Sequence, residues 1–157
     1  MRLPYKTLTI PYKKTSDGFK FLILRRADLD FWQWVSGGGE SEDKDLISTV
    51  IRELKEEIGT SVASEDVMRL ESRCALFEDE PMKYNDENIT VLPEYTFAVN
   101  IKESEVKISE EHSEYRWVTK ETAKNLLKYD SNKTALLELD KILRKEVDGS
   151  WRIDWKV

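Results

Sequence analysis

The segment from Asp43 to Gly59 constrains the fold more than any other part of the chain, because its aliphatic residues repeat with the period of an α-helix. Four of them recur at i, i+4, i+7 and i+11, the spacing of one helix face: Ile47, Ile51, Leu54 and Ile58. A glycine follows at the position of a helix C-cap, and Ser41 or Asp43 is available to cap the start. The pattern predicts an amphipathic helix over residues 43–58 that packs one face on a core.

Three glutamates share one face of this predicted helix. At about 100° per residue, Glu53, Glu56 and Glu57 fall within an arc of roughly 100°. Glu57 lies beside the aliphatic stripe, near Val50, and is expected to be partly buried. Like charges at these spacings repel each other by roughly 0.2–0.5 kcal/mol per pair, whereas a divalent cation would bind them together. Acids also cluster on solvent-exposed helices, but the combination with Gly59 and a run of glycines upstream favours a Mg²⁺ site, with Mn²⁺ as the alternative ion.

The rest of the chain predicts strands that alternate with helices in one domain. Strands are expected at 6–12, 19–24, 67–77, 94–101 and 114–118, helices near 120–129 and 132–147, and a short final strand at 150–157. Loops are expected at 28–39, which ends in three glycines, and at 78–87, which is polar and acidic. The order predicts a layered α/β (α+β) domain over residues 1–157, with a mixed β-sheet sandwiched between α-helices.

Length, charge and cysteine content exclude several classes of function. A chain of 157 residues fits one domain, and its formal net charge of −6 argues against binding to a nucleic-acid polymer. No apolar run approaches the ~18 residues of a membrane span, and the N-terminus lacks the features of a secretory signal. Cys74 is the single cysteine, which excludes an intrachain disulfide and a multi-cysteine zinc site. We therefore expect a cytoplasmic protein, a monomer or a homodimer, with no membrane partner.

Residues 38–60 resemble the Nudix box, whose pattern is G-x5-E-x7-R-E-U-x-E-E-x-G-U, where U is a bulky aliphatic residue. The match is strongest over the string RELKEEIG. Two positions depart from the pattern, because Lys44 stands at the first glutamate and Thr60 at the final aliphatic residue. In the family that glutamate supports the box arginine. A shift of one residue in the glycine loop would restore an acid from Glu42 or Asp43.

The resemblance implies the Nudix fold and metal-assisted hydrolysis of a diphosphate that is linked to another group. On this basis the box glutamates hold the metal and the box arginine orients one of them: Glu53, Glu56, Glu57 and Arg52. Glu111, in a polar loop before a predicted strand, is implied as a further metal ligand or as the base that deprotonates water. Glu110 and Glu114 are alternatives for that role. His112, the only histidine, is expected to have a supporting or surface role.

Short strings elsewhere resemble the bacterial dihydroneopterin triphosphate pyrophosphatase branch of the Nudix enzymes. They are RR at 25–26, DFWQ at 30–33, EH at 111–112, YRW at 115–117 and SN at 131–132. The resemblance implies that Arg25 binds a substrate phosphate and that Ser36 supplies a hydroxyl near the substrate. Trp34 is expected to stack on a pteridine or purine ring. Three loop glycines are expected to let the backbone approach the ligand closely: Gly37, Gly38 and Gly39.

The resemblance therefore implies a Mg²⁺-dependent pyrophosphohydrolase that cleaves a small triphosphate to a monophosphate and pyrophosphate. Dihydroneopterin triphosphate is the first expectation and would place the enzyme in folate synthesis. A deoxynucleoside triphosphate such as dATP is the alternative within the same class, because specificity depends on loops and pocket shape rather than on the box. A catalytically inactive Nudix-fold ligand-binding or regulatory module is the alternative from a different class, and Lys44 is the one sequence feature that supports it.

Overall fold

A mixed seven-stranded sheet forms the centre of the part of the chain that the computed structural model describes, residues 2–84 and 87–144. In chain order the described elements are β1 (Arg2–Thr15), β2 (Gly18–Arg26), β3 (Trp32–Gln33), β4 (Val35–Glu40), α1 (Leu46–Ile58), a 3₁₀ turn (Ser64–Asp66), β5 (Val67–Tyr84), β6 (Glu87–Asn100), β7 (His112–Val118), α2 (Lys120–Leu126) and α3 (Asp130–Leu143). The predicted mixed sheet between helices is confirmed. The short strand expected at 150–157 lies outside the described residues.

Strand β1 occupies the centre of the sheet and determines its topology. The strand order is β3-β2-β1-β6-β5, while β4 also pairs with β1 and β7 pairs with β2. β1 runs antiparallel to β2 and β4 but parallel to β6, with Lys6 opposite Glu94. The hairpin between β1 and β2 closes at Gly18, whose φ of 111° suits a residue without a side chain.

Two apolar cores, one on each face of the sheet, hold the helices in place. Strand β2 supplies both, because alternate residues of a strand point to opposite faces. Phe21 and Ile23 join the core that includes residues of α2 and α3, whereas Leu22 and Leu24 join the core beneath α1. Such a continuous apolar run is typical of a strand that is covered on both sides.

Helix α1 packs its predicted aliphatic stripe against the sheet. Of the four predicted residues, Leu54 and Ile58 are buried in the core beneath it, Ile47 is partly buried there and Ile51 is only half-buried, whereas the neighbouring Val50 is fully buried. Gly59 ends the helix with a φ of 69°, a left-handed conformation that glycine adopts without steric cost. The period of the apolar residues and the position of this glycine predicted both features.

The start of α1 differs from the prediction. The helix begins at Leu46 rather than at 43, and its cap is Asp45, whose side chain accepts a hydrogen bond from Ser48 N at 2.7 Å. The expectation that Ser41 or Asp43 caps the helix is wrong. The physical reason is that the Asp43 carboxylate is engaged by an arginine of the same helix, as described below.

The other two predicted helices are confirmed with different ends. α2 ends at Leu126 rather than at 129, and α3 begins at Asp130 and ends at Leu143. Residues 145–147 of its predicted span lie outside the described residues. None of the helices in the described ranges is long and apolar enough to cross a membrane.

The predicted glycine loop at 28–39 is wrong over its second half, because residues 35–40 form strand β4. Gly37 pairs with Thr7 and Gly38 with Lys6 along β1. Glycines are uncommon in strands, since they offer no side chain to pack. Backbone hydrogen bonds to the central strand, which no local pattern reveals, hold this segment in the sheet.

The predicted acidic loop at 78–87 is also wrong, because β5 continues to Tyr84 and β6 begins at Glu87. The two strands form a long antiparallel hairpin. Apolar residues face each other across it, with Leu76 opposite Leu92 and Met82 opposite Ile89. Since residues 78–80 are all acidic, a proline follows them and most of the segment is exposed, the local sequence resembles that of a loop.

Candidate active site

An open cavity of about 580 Å³ lies where α1, β4, the first half of β1, the end of β2 and the residues just before β7 meet. Its lining combines both signs of charge. The acidic residues are Asp28, Glu40, Glu53, Glu56, Glu57, Glu110 and Glu111, and the basic residues are Arg2, Lys6 and Arg26. All three box glutamates therefore reach one cavity, together with the glutamate expected from the loop before β7.

Arg52 is held by hydrogen bonds on every side of its guanidinium group. Its Nε and Nη2 donate to the two carboxylate oxygens of Asp43, at 3.0 and 2.9 Å. Nη2 also donates to the carbonyl oxygen of Gly38 at 2.7 Å. Nη1 donates to Glu53 Oε1 at 2.8 Å and to Glu56 Oε2 at 3.2 Å. A two-pronged contact with a carboxylate fixes the plane of a guanidinium group, so Arg52 positions two of the box glutamates.

Asp43 makes the contact with Arg52 that was expected of the first glutamate of the box. Its carboxylate also accepts hydrogen bonds from Glu40 N at 2.9 Å and from Thr49 Oγ1 at 2.8 Å. The Arg52 guanidinium lowers the pKa of Asp43 to about 2. Lys44, at the position where the family has its glutamate, is exposed to solvent. The acid is therefore present one residue earlier in the chain, as the shift considered from the sequence allows.

We expect the substitution Asp43→Asn to destabilise the protein at neutral pH by about 2 kcal/mol. The pKa of Asp43 is lower in the folded state than the value of about 3.9 in an unfolded chain. Its contribution to stability is therefore complete above pH 4 and is lost as the pH falls towards 2. Urea unfolding of the wild type and the variant between pH 7 and pH 2.5 measures this. The difference between the two proteins should shrink as the pH falls.

Lys44→Glu is the matched control for this substitution, since it changes the neighbouring residue towards the family pattern. We expect its turnover to stay within about tenfold of wild type, one 1.4 kcal/mol step in the barrier. Asp43→Asn, in contrast, should lose about 10- to 100-fold, the cost typical of removing a group that orients a ligand. If Lys44→Glu has the larger effect on turnover, Asp43 is not the residue that positions Arg52.

Glu53 lies at the inner end of the cavity, where its side chain contacts β4. Only 8% of the residue is exposed. A Cβ atom added to Gly37 would overlap the carboxyl carbon and both carboxyl oxygens of Glu53. Burial raises the pKa of Glu53 to about 7, although the hydrogen bond from Arg52 acts in the opposite direction. Gly37 thus provides the space in which this carboxyl group sits.

Glu57 is also buried, with 5% of the residue exposed. Its position next to Val50 on the surface of the predicted helix led to this expectation. Its Oε2 accepts a hydrogen bond from Ser109 Oγ at 2.9 Å, and His112 Nδ1 lies 3.0 Å from the same oxygen. Burial alone would raise the pKa of Glu57, but His112 and Ser109 outweigh it and leave the pKa below its ordinary value. The only histidine in the chain is therefore buried in a supporting position beside a box glutamate.

Glu56 and Glu111 face the cavity from its exposed side. The loop that carries Glu111 is anchored to the end of β2 by a hydrogen bond from Ala27 N to the carbonyl oxygen of Glu111, at 2.9 Å. Glu110 lines the same cavity, whereas Glu114 does not and instead accepts a hydrogen bond from Arg25. Of the three acids considered for the role of base, Glu110 and Glu111 are thus at the cavity.

The donor set fits a hard divalent cation, although no group of three or more His, Cys, Asp and Glu residues within 2–84 and 87–144 is already arranged around one point. The side chains of α1 that reach the cavity with free oxygen atoms are carboxylates, the ligand class that Mg²⁺ and Mn²⁺ prefer. Arg52 is the one basic partner of Glu53 in the described chain. Glu53, Glu56 and Glu57 lie on one helix face and all line the cavity, so they are the residues that would hold such a cation.

Two predicted substrate contacts are not supported. Trp34 was expected to stack on a substrate ring, but it is fully buried and its indole N–H donates to Asn132 O at 2.9 Å. Arg25 does not line the cavity, and its guanidinium group donates to Asp30 and Glu114 instead. The basic residue that reaches the cavity from the end of β2 is its neighbour Arg26, as expected where successive residues of a strand point to opposite faces.

The glycine segment divides into two roles. Ser36, Gly37 and Gly38 line the cavity, as the sequence predicted. Gly39 does not: a Cβ there would overlap the ring of Tyr5, so this glycine makes room for an aromatic side chain. The contact fixes the start of β1 against α1, since Tyr5 Oη lies 2.8 Å from Thr49 Oγ1.

Sequence reasoning missed three basic residues of the cavity, namely Arg2, Lys6 and Arg26. Arg2 and Lys6 are four residues apart on β1, but the pairing of β1 with β4 is irregular between them, so their spacing in the sequence does not by itself place them on one face. The register of β1 against β4 and β6 brings Lys6 beside Gly38 and Glu94.

Comparisons with known proteins identify the family and the fold. The NUDIX domain family model matches residues 11–139. The chain is 31% identical over 127 residues to the dihydroneopterin triphosphate diphosphatase of Haemophilus influenzae, an alignment that covers 78% of this chain and 79% of that protein. The crystal structure of a protein from Listeria monocytogenes that is described as a NUDIX hydrolase superimposes on this chain with a TM-score of 0.78. The two sequences are 37% identical, and the match covers 92% of this chain and 97% of that one. The E. coli dihydroneopterin triphosphate pyrophosphohydrolase has the same fold, with a TM-score of 0.68 at 24% identity and coverage of 88% and 97%.

Proposed function

Because this chain belongs to the Nudix family, we propose that it is a Mg²⁺-dependent pyrophosphohydrolase whose substrate is dihydroneopterin triphosphate. The products would be the corresponding monophosphate and inorganic pyrophosphate. The broader class, a hydrolase that acts on phosphoric anhydride bonds, follows from the family and from the activity of the Haemophilus influenzae relative. The identity of the metal, the bond that is cleaved and the substrate are what we propose.

The observation that carries this proposal is the presence of acidic and basic side chains in one cavity. A triphosphate is strongly anionic, and a chain with a net charge of −6 repels it unless local cations intervene. Arg2, Lys6 and Arg26 supply positive charge at the cavity. The carboxylates of α1 supply a place for a divalent cation. Together they form a site that binds phosphates only when it is loaded with metal.

Glu53 and Glu57 would hold the cation, with Glu56 as a further ligand. When bound, Mg²⁺ neutralises phosphate charge, polarises the P–O bond and lowers the pKa of a water molecule. Arg52 keeps Glu53 and Glu56 directed into the cavity through its hydrogen bonds. Ser109 and His112 hold Glu57 in the same way.

Glu111 would take the proton from the attacking water molecule. It lies at the exposed side of the cavity, where a base can be poised beside a water molecule that the metal binds. The water oxygen bonds to phosphorus, the bond to the bridging oxygen breaks, and pyrophosphate leaves. Lys6 would bind the departing phosphates, as would Arg26, whose guanidinium group donates to Asp28 in this structure.

The substrate is proposed from the Haemophilus influenzae relative, whose name specifies dihydroneopterin triphosphate. This choice keeps the expectation of a cytoplasmic enzyme of folate synthesis. A deoxynucleoside triphosphate such as dATP is the competitor, since the same phosphate chemistry serves both. The two differ only in the ring that they carry.

Pyrophosphate release tests the proposal. We expect release from dihydroneopterin triphosphate with Mg²⁺, loss of activity to background in excess EDTA, and full recovery when Mg²⁺ is restored, because the cavity binds phosphates poorly without a cation. The assay should include the eight common nucleoside triphosphates and should be repeated with Mn²⁺.

Each other outcome discards a different part of the proposal. Preference for dATP over the pteridine keeps the chemistry and removes the folate assignment. Unchanged activity in EDTA would show that the box glutamates do not act through a cation. An absence of turnover on every triphosphate, with Mg²⁺ still bound, would favour the ligand-binding module.

A further inference from the structure

A second, smaller cavity of about 180 Å³ adjoins the one described above, and we refer to it as the ring cavity. The two share part of their lining: Lys6, Arg26, Gln33 and Ser36. The apolar and aromatic part of the wall of the ring cavity is formed by Leu8, Phe31, Leu76 and Tyr129, and Ser131 and Asn132 add polar groups beside it. Phe31 and Tyr129 contact each other edge to face, with centroids 5.3 Å apart. A substrate with its phosphates in the first cavity can thus place a flat ring in the second.

Glu94 brings a buried carboxyl group into this lining. It lies on β6, only 5% of the residue is exposed, and the proposed phosphate chemistry does not use it. The single hydrogen bond to its carboxyl group within the described residues comes from Cys74 Sγ, at 3.5 Å from Oε1. Burial raises the pKa of Glu94, while Cys74 and the nearby Lys6 act in the opposite direction. A buried carboxylate with so few donors has capacity to accept further hydrogen bonds.

The donors that suit two carboxylate oxygens are two parallel N–H groups. A 2-amino-4-oxopyrimidine ring presents such a pair, its ring N–H and its exocyclic amino group. Pterins and guanine share this edge. Adenine does not, because its ring nitrogen at the corresponding place is an acceptor that a carboxylate repels. Paired hydrogen bonds to a carboxylate are both strong and selective.

We propose that Glu94 reads the ring of the substrate, by accepting hydrogen bonds from the ring N–H and the 2-amino group of a 2-amino-4-oxopyrimidine edge. The enzyme would therefore select pterin and guanine triphosphates over adenine triphosphates. This inference rests on the proposed function, because it names what the same active site selects. Glu94 would then be the residue of this chain that favours dihydroneopterin triphosphate as the substrate.

The test compares two substrates that differ only in the 2-amino group, dGTP and dITP. Wild-type enzyme should show a kcat/KM for dGTP that exceeds that for dITP by about tenfold or more, since one good paired contact discriminates by roughly 5- to 150-fold. In Glu94→Gln the amide can accept one N–H but presents its own donor to the other. The preference for dGTP should therefore fall to within twofold, and turnover of dihydroneopterin triphosphate should fall about 10- to 100-fold.

Asp140→Asn serves as the matched control, because Asp140 is a buried acid that lies outside both cavities and pairs with Lys120 and Arg144. It should retain the wild-type ratio of dGTP to dITP. Equal use of dGTP and dITP by the wild type, or a ratio that Glu94→Gln leaves unchanged, would overturn the proposal. A wild-type preference for dATP would overturn it as well.

Binding of neopterin, which has the ring but no phosphate, separates this inference from the proposed hydrolysis. Calorimetry in the absence of metal should show binding to the wild type and at least tenfold weaker binding to Glu94→Gln. If neopterin binds the wild type more tightly than Glu94→Gln while no triphosphate is hydrolysed, the proposed hydrolytic activity is wrong and the proposed role of Glu94 is kept. If hydrolysis occurs but neopterin binds both proteins equally, Glu94 does not read the ring.

Discussion

We expect turnover to fall by at least a hundredfold when Glu57 is replaced with glutamine, while the free energy of unfolding changes by no more than about 1 kcal/mol. Substituting a group that merely orients a metal ligand costs about 10- to 100-fold, so loss of a ligand should reach or exceed that range. Glutamine keeps the shape of the side chain and still offers an oxygen to Ser109. It also removes a negative charge from a helix face that carries three. Steady-state kinetics at saturating Mg²⁺ and urea unfolding provide the two measurements.

An exposed glutamate of the 3₁₀ turn supplies the control for Glu57→Gln. Glu65→Gln removes the same charge from the chain at a site outside both cavities and should behave as wild type. Calorimetry should also show weaker Mg²⁺ binding to Glu57→Gln than to the wild type. Turnover near wild type in Glu57→Gln would remove Glu57 from the set of metal ligands.

Gly37→Ala is expected to lower turnover by about 10- to 100-fold with little effect on folding. The added Cβ would overlap the carboxyl group of Glu53 and force it out of its place beside Arg52. Gly37 does not have a positive φ, unlike Gly18 and Gly59, so the backbone itself accommodates alanine. The effect should appear in kcat and in metal affinity, and the melting temperature should hardly change.

The neighbouring Gly38→Ala provides a comparison within the same strand. A Cβ there meets nothing closer than the carbonyl oxygen of Tyr5 at 3.9 Å, so its loss of turnover should be much smaller than that of Gly37→Ala. Shortening the displaced side chain in Gly37→Ala/Glu53→Asp should recover part of the activity. Equal losses at Gly37 and Gly38, or no recovery in the double variant, would show that overlap with Glu53 is not the cause.

The helix that carries the acids could be predicted from the sequence, because its signals are local. The spacing of the aliphatic residues fixed which face of α1 is buried, and Gly59 fixed where the helix ends. The place of Glu57 next to Val50 on the helical wheel predicted its burial, which the structure confirms. Such features need only the 3.6-residue period and the chemistry of a helix end.

The contacts that depend on strand register could not be predicted in the same way. Arg25 and Arg26 are adjacent in sequence, and only the pairing of β2 with its neighbours decides which of them reaches the cavity. Trp34 illustrates the same limit, since an aromatic residue beside a glycine run suits both a ligand contact and a core position. Its burial follows from the packing of α3 on the sheet, which brings Asn132 to its indole nitrogen.

Asp43 shows how a family pattern can hide a preserved interaction. Read position by position, the pattern has Lys44 where an acid is expected. In the structure Asp45 caps α1, so the turn before the helix directs Asp43 inwards and Lys44 outwards. The ion pair with Arg52 depends on where a side chain points, which the residue number alone does not give.

The parallel pairing of β1 with β6 has a consequence for the order in which the protein can be made. Strands β2 and β4 follow β1 closely in sequence and both pair along the same edge of it, so that edge can pair while the chain is still being synthesised. The remaining partner, from Glu94 to Asn100, leaves the ribosome much later. Until then β1 has unpaired backbone groups along its other edge, and Glu94 cannot lie beside Lys6. The phosphate-binding residues and the residue proposed to read the ring therefore come together only after most of the chain has emerged.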